Sequence, residues 1–285
     1  MFDFSERQDL LVILIIGILL VLAFMIFSFI MIWKPKEEVE FEVGTTVNAN
    51  SVYSNITDIY KARLNVKKIS DDLKNKNYEK IFSYLAKDYI NYYNMDVKAL
   101  EAKINSLNFA GEEIYVENCT TTNLGNYSKI YILTVRGKSN DYSATFVLRE
   151  TSPRQFELAL DDFILYDNSI YEKSAENVSL NIVSKLYTTT YTQYDVKITN
   201  KNNSSIELNS NHDNRYIYLQ IGDNSVYADN ITNTSSSLVI GSNQEESMEL
   251  RFNTNNMNLN SINSLVINNV KLSNDKKVTI SYDFS

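Results

Sequence analysis

Hydrophobic residues occur first in one unbroken run and afterwards only in short periodic patterns. The run from Leu10 to Trp33 holds 24 consecutive residues without a charge. At ~1.5 Å per residue a helix of this length rises ~36 Å, enough to cross a hydrocarbon core of ~30 Å. A secretory signal peptide has a shorter apolar region and a small-residue cleavage site, which this run lacks. We therefore expect a short cytoplasmic tail at 1–9 and a transmembrane helix at 10–33.

We expect an acidic juxtamembrane stalk at 34–54, and apolar residues with helical spacing follow it. Three amphipathic patterns occur, and each places its apolar residues three or four positions apart. Thr57 or Asp58 can cap the first helix, and Asp96 precedes the third. The apolar faces are Ile59, Ala62, Val66, Ile69 and Leu73; then Tyr78, Ile81, Phe82 and Leu85; then Val97, Leu100, Ile104 and Leu107. The pattern predicts three helices between 55 and 110.

Gly111 marks a change to the two-residue period of β-strands. Ile114–Val116 forms a short pattern, and Ile130–Val135 is apolar on both faces, as in a strand covered on both sides. Tyr142, Ala144, Phe146 and Leu148 alternate with Ser143, Thr145 and Arg149, and Phe156, Leu158 and Leu160 alternate after the Ser152–Pro153 turn. About four strands are therefore expected before residue 166.

The remaining residues read as β-structure throughout. Alternation recurs around Val178, Tyr194, Met248 and Val278, and Asn- and Gly-containing turns separate the segments. Seven or eight short strands with this spacing indicate a sandwich. A polar junction near Asp167–Ser169 divides the region into two segments, at 55–166 and 170–285, each large enough for its own core.

The order of three helices and then four strands resembles that of nuclear-transport-factor-2-like (NTF2-like) proteins, which have a cone-shaped α+β fold. The phrase Asn77–Leu85 is similar to the second-helix motif of such domains in Gram-positive envelope proteins. The resemblance covers roughly 55–166 and implies a fold that hosts both enzymes and pure binding modules.

The second segment resembles the immunoglobulin-like accessory domains of surface lipoproteins from low-GC Gram-positive bacteria. The similar stretches are Asp195–Asn200, Leu238–Gly241 and Met248–Phe252, although Ile240 stands where that family has a proline. The resemblance implies a surface module without chemistry of its own. The expected fold class is thus an α+β NTF2-like domain and an all-β immunoglobulin-like sandwich, after one N-terminal transmembrane helix.

Composition bears on location and excludes one class of partner. One cysteine, Cys119, and a chain rich in Asn, Lys, Ile and Tyr fit the surface of a Gram-positive bacterium. The flanking charges do not fix the orientation, but these features favour C-terminal domains outside the cytoplasmic membrane. A net charge of −8 argues against nucleic acid as a partner. The expected partners are the lipid bilayer, through 10–33, and other envelope proteins.

Residues suited to catalysis or metal binding are few. His212 is the only histidine and lies in a polar loop, and Cys119 lies in the other predicted domain. Asp223, Asn224 and Asp229 are conceivable calcium ligands, but a hairpin loop explains them equally well. Enzymes on the cone fold often use an acidic residue and a tyrosine. The candidates for that role are Asp88 with Tyr89, Tyr92 and Tyr93, or Asp161 and Asp162. Tyrosines at helical spacing are more often part of the core. We assign no catalytic, cofactor-binding or metal-binding residue and expect no cofactor.

These observations predict a non-catalytic, membrane-anchored binding or scaffolding protein of the bacterial cell envelope. One alternative is a structural subunit of a conjugation or secretion apparatus, whose assembly factors resemble the order of tail, membrane helix and cone domain. A second alternative is an extracytoplasmic sensor that binds a small ligand in the cone cavity.

Overall fold

The computed structural model describes residues 52–284, apart from residues 128, 153–154, 210–214 and 234–238. The predicted tail, transmembrane helix and stalk, except for the last three stalk residues, lie outside the described residues, as do His212 and Pro153. None of the helices in the described part of the chain has the length and apolarity needed to cross a bilayer. The described residues belong to one compact unit, Ala49–Ser285.

Within the described residues, four helices precede the strands: α1 (Val52–Lys74), α2 (Tyr78–Tyr84), α3 (Lys87–Tyr93) and α4 (Val97–Ser106). The predicted apolar face of α1 is buried, with Ala62, Val66 and Leu73 at most 1% exposed. Asp96 caps α4 by accepting a hydrogen bond from the backbone NH of Ala99 at 2.7 Å. Helix α3 was not predicted as a separate helix, because no glycine or proline marks the break at Leu85–Ala86 between it and α2.

A four-stranded antiparallel sheet follows, in the order β1-β2-β3-β4. Its strands are β1 (Ile114–Thr122), β2 (Lys129–Gly137), β3 (Ser143–Ser152) and β4 (Gln155–Leu160). These confirm the four predicted strands, with longer bounds. Helix α1 packs against β1 and β2, and α2 packs against β4. The apolar side chains of α1 and of these strands therefore share one core.

The other strands form an eleven-stranded antiparallel sheet. Its main path runs β12-β9-β14-β10-β11-β13-β8-β7-β5, and β15 and β6 pair with β14 and β7. The strands are β5 (Phe163–Asp167), β6 (Tyr171–Ala175), β7 (Val178–Thr188), β8 (Tyr191–Asn200), β9 (Ile206–Glu207), β10 (Ile217–Ile221), β11 (Asn224–Asn233), β12 (Val239–Ile240), β13 (Glu245–Asn253), β14 (Ile262–Lys271) and β15 (Lys277–Asp283), with a 3₁₀ turn at Leu259–Ser261 before β14.

The predicted fold class, an α+β NTF2-like domain followed by an all-β immunoglobulin-like sandwich, is wrong for the described residues, and the transmembrane helix expected at 10–33 lies outside them. The described residues are mostly antiparallel β-sheet, with 51% strand and four helices. The reason lies in β11, which pairs with β10 along 224–227 and then with β13 along 228–233. A register shift between Ala228 and Asn230 lets this one strand join both groups of strands. Strands that a sandwich would divide between two sheets are therefore hydrogen-bonded into a single sheet.

Strand β5 links the two sheets along the chain. It directly follows the four-stranded sheet, yet it pairs with β7 of the larger sheet. It ends at Asp167, where the sequence placed the polar junction. The two sheets and the loops between them therefore meet along β5, and this meeting place positions the clefts described below.

Candidate functional site

Asp88, one of the candidate acidic residues, forms an ion pair with the buried Arg149. Its carboxylate accepts two hydrogen bonds from the guanidinium of Arg149, at 2.8 and 2.5 Å, and one from the backbone NH of Tyr166 at 2.9 Å. Arg149 is fully buried. Burial lowers the pKa of Arg149, but Asp88, together with Tyr127 and with Glu157 at 3.2 Å, outweighs burial and leaves that pKa raised. Asp88 therefore joins α3 to β3 and β5.

The tyrosines of α3 form an aromatic cluster with β5. Tyr89 is 1% exposed, and its ring meets that of Phe163 edge to face with centroids 5.1 Å apart. Tyr93 packs on Tyr89 at 4.9 Å, and Tyr92 packs on Tyr166 at the same distance. Burial raises the pKa of Tyr89 and raises that of Tyr93 to about 12. These hydroxyls stay protonated at neutral pH.

Asp161 and Asp162 lie together in the turn between β4 and β5, close enough to Tyr93 for their charges to add to the rise of its pKa. Asp161 forms an ion pair with Lys103 at 2.6 Å, and the backbone carbonyl of Asp162 accepts a hydrogen bond from Thr189. Cys119 is buried, and burial raises the pKa of its thiol to about 12. Among the described residues, no three His, Cys, Asp or Glu side chains are grouped as metal ligands would be.

Two clefts open where the loops of the two sheets meet. The first, which we name the tyrosine cleft, has a volume of about 770 Å³. Its walls include five tyrosines and one phenylalanine: Tyr127, Tyr166, Tyr171, Tyr187, Tyr282 and Phe284. They come from the β1–β2 loop, from β5 to β7, and from β15. A cleft of this size suits a ligand of several hundred daltons.

A buried cation is fixed in the wall of the tyrosine cleft. The ammonium of Lys185 lies 3.0 Å from Asp167, 3.8 Å from the ring centre of Tyr171 and 5.3 Å from that of Phe284. Burial opposes ionisation of Asp167, but hydrogen bonds from Ser169 and Lys185 outweigh it and lower its pKa to about 2. Lys185 and Asp167 therefore offset each other's charge.

The second cleft, which we name the threonine cleft, has a volume of about 600 Å³. Seven threonines and four asparagines line it, with Ile132, Ile164, Met257 and Leu259. The polar residues are Thr120–Thr122, Asn123, Thr188–Thr190, Thr254–Asn256 and Asn258. None of the fifteen lining residues is charged, in a chain with 22% charged residues. The cleft therefore presents hydroxyl and amide groups without a fixed charge.

The two clefts lie side by side along the same chain segments. Asn123, Ile164, Thr188 and Asn258 line the threonine cleft, and the neighbours Leu124, Leu165, Tyr187 and Asn260 line the tyrosine cleft. Leu259, which is 5% exposed, borders both. Consecutive strand residues such as Ile164 and Leu165 face opposite sides of β5, and Leu259 is buried, so the two clefts open on either side of a packed boundary.

Hydrogen bonds between loops hold the threonine cleft in shape. The backbone NH of Thr254 donates to the carbonyl of Thr190 at 3.1 Å, and the hydroxyls of Thr192 and Thr254 lie 3.0 Å apart. The Thr188 hydroxyl accepts from the backbone NH of Tyr191 at 2.9 Å. The β7–β8 turn is thereby tied to the end of β13, so the cleft is formed before any ligand arrives.

Sequence reasoning missed both clefts. The signal that could have indicated the threonine cleft is a pair of threonine triplets, Thr120–Thr122 at the end of β1 and Thr188–Thr190 at the end of β7, together with the asparagine-rich segment 253–258. Their meeting depends on strand pairing over long sequence distances. No protein-family model, curated protein or solved structure matches the chain, so the geometry carries the functional argument alone.

Proposed function

We propose that this protein is a non-catalytic binding and scaffolding protein of the bacterial cell envelope, anchored in the cytoplasmic membrane by 10–33, with its C-terminal part outside. The uncharged run from Leu10 to Trp33 supports the anchor. The observation that carries the binding role is the pair of adjoining clefts, which offer a preformed concave surface with convergent polar groups.

The ion pairs of the candidate acidic residues Asp88 and Asp161 also support a binding role. The carboxylate of Asp88 is held by Arg149, and Asp161 is held by Lys103. Neither carboxylate lines the tyrosine cleft or the threonine cleft. General acid–base catalysis requires a titratable group within hydrogen-bond reach of the substrate. Asp88 and Asp161 are thus engaged in ion pairs outside the two clefts.

Protease accessibility tests the topology of the proposal. The full-length protein carries a C-terminal tag and is expressed in a Gram-positive host, and protease is added to intact protoplasts. We expect loss of the tag without opening the membrane, because the part after Lys36 lies outside. A tag that survives until the membrane is opened would mean that the orientation is reversed.

Site-specific photo-crosslinking tests the binding role in the same cells. A photoreactive amino acid replaces Asn255 in the threonine cleft or Asn260 in the tyrosine cleft, and Lys98 on α4 serves as the exposed control. We expect crosslinked envelope material from the two cleft positions and little from Lys98. Equal yields at all three positions, or none, would contradict binding in the clefts.

A pocket beside α1 favours a sensor as the second candidate function. It has a volume of about 350 Å³ and is lined by apolar Ile69, Leu148, Phe156 and Leu158, with polar residues including Lys68. A small amphipathic molecule fits such a lining. If the pocket is a sensor site, Leu148→Trp should fill it and abolish the binding of a fluorescent fatty acid; an unchanged affinity would contradict the sensor.

A further inference from the structure

We propose that the threonine cleft binds an uncharged oligosaccharide chain. The inference rests on the proposed binding function and names its ligand class. It follows from two properties of this cleft: the lack of charged side chains and the density of hydroxyl and amide groups.

The neutral lining of the threonine cleft selects against charged ligands. Phosphate, sulfate and carboxylate groups are recognised by arginine, by lysine or by a set of converging backbone NH groups. The threonine cleft contributes no cationic side chain, and a buried anion without one would lose its hydration uncompensated. An uncharged polar ligand bears no such cost.

Hydroxyl and amide side chains match the groups of a sugar. A threonine hydroxyl donates one hydrogen bond and accepts others, and an asparagine amide offers both donors and acceptors. A sugar carries hydroxyls that do the same in both directions. The exposed members Thr120, Thr121, Thr190 and Asn255 lie at the rim, and the buried Thr188 and Thr254 lie beneath them. Contact along several sugar units is therefore possible without displacing the fold.

Binding by the full-length protein tests the inference. The protein is purified in a zwitterionic detergent, because alkyl-glycoside detergents carry neutral sugars themselves. Isothermal titration calorimetry measures maltopentaose, chitopentaose and a sulfated oligosaccharide of similar length. We expect at least one neutral chain to bind, and the sulfated chain to bind at least tenfold more weakly. Failure of both neutral chains to bind, or equal binding of the sulfated chain, overturns the inference.

Isosteric variants locate the site. Thr121→Val and Thr189→Val each remove one hydroxyl from the threonine cleft while keeping the side-chain shape. We expect each to weaken neutral-chain binding about threefold to tenfold, as loss of one hydrogen bond does, with an unchanged melting temperature. Thr145→Val, on β3 and outside both clefts, is the matched control and should bind as the wild type does. An equal loss in Thr145→Val would overturn the assignment.

The two proposals can fail separately. If Asn255 and Asn260 still give crosslinks to envelope material while no neutral chain binds, the proposed binding function stands and the ligand class is wrong. If the neutral chain binds but the C-terminal part lies inside the membrane, the ligand class stands and the proposed location is wrong.

Discussion

Arg149 shows at the scale of one residue why a local pattern can mislead. Alternation along β3 placed Arg149 with Ser143 and Thr145, opposite the apolar residues. It is instead fully buried, because Asp88 neutralises it from α3 and the carbonyl of Ile164 accepts a further hydrogen bond at 3.2 Å. A sequence pattern does not show a partner 61 residues away.

Removing the partner of Arg149 should strongly destabilise the fold. Asp88→Ala leaves the buried guanidinium of Arg149 with only the partly exposed Glu157, 3.2 Å away, as a counter-charge, so we expect the free energy of unfolding to fall by about 2–3 kcal/mol. Urea denaturation of the full-length protein, followed by circular dichroism, measures this change. Glu245→Gln breaks the exposed pair with Lys197 and is the control, with an expected loss below about 1 kcal/mol. A loss that small for Asp88→Ala would mean that the ion pair contributes little.

Asp167 gives a pH-dependent prediction. Its pKa is lowered to about 2 from the ordinary value of 3.8, so its stabilising effect is complete above about pH 4 and is lost as the pH falls through 2. Asp167→Asn should therefore melt below the wild type at pH 7 and 5, and the difference should shrink between pH 4 and 2. Melting temperatures across this range test it, with the exposed Asp141→Asn as control. A difference that is constant down to pH 2 would contradict it.

At the scale of elements, the sequence pattern within one segment predicted helices and strands, whereas the pairing of distant segments could not be predicted. The four strands from β1 to β4 and the apolar face of α1 were predictable because their periods occur within ten or twenty residues. Helix α3 was missed because no glycine or proline separates it from α2 in the sequence. The role of β11 was not predictable, since its two halves pair with β10 and β13 and only the long-range register reveals this. The clefts were missed for the same reason, because β1, β7 and β13 bring their threonines and asparagines together only in the folded sheet.

Strand β13 should be especially sensitive to a buried charge. It pairs with β8 on one side and with β11 on the other, and Phe252 is fully buried against Tyr194 with ring centres 5.9 Å apart. Phe252→Asp costs several kcal/mol, comparable with the whole stability of a domain, so we expect an unfolded protein at 37 °C. Ser247→Asp introduces the same charge at an exposed position of β13 and should leave the fold intact. A folded Phe252→Asp protein would contradict the assigned burial.

At the scale of the whole molecule, the two sheets are coupled rather than merely adjacent. β5 follows the four-stranded sheet and pairs with β7, while Asp88 on α3 accepts a hydrogen bond from the backbone of β5 at Tyr166. Arg149 on β3 donates to the same strand at Ile164. A strand that belongs to one sheet is thus held by side chains from the helices and from the other sheet.

This coupling predicts one cooperative unfolding transition for the described part of the chain. Calorimetry of the full-length protein in detergent should show a single transition for it, and Asp88→Ala should lower the temperature of that transition rather than split it. The reason is that loss of the Asp88–Arg149 pair loosens β5, and β5 lies on the edge of β7 in the large sheet. Ser247→Asp, far from this link, should leave the temperature unchanged. Two resolved transitions, with only one of them shifted by Asp88→Ala, would contradict this prediction. Residues 55–166 and 170–285 would then fold separately, and the clefts would lie between two independently stable bodies.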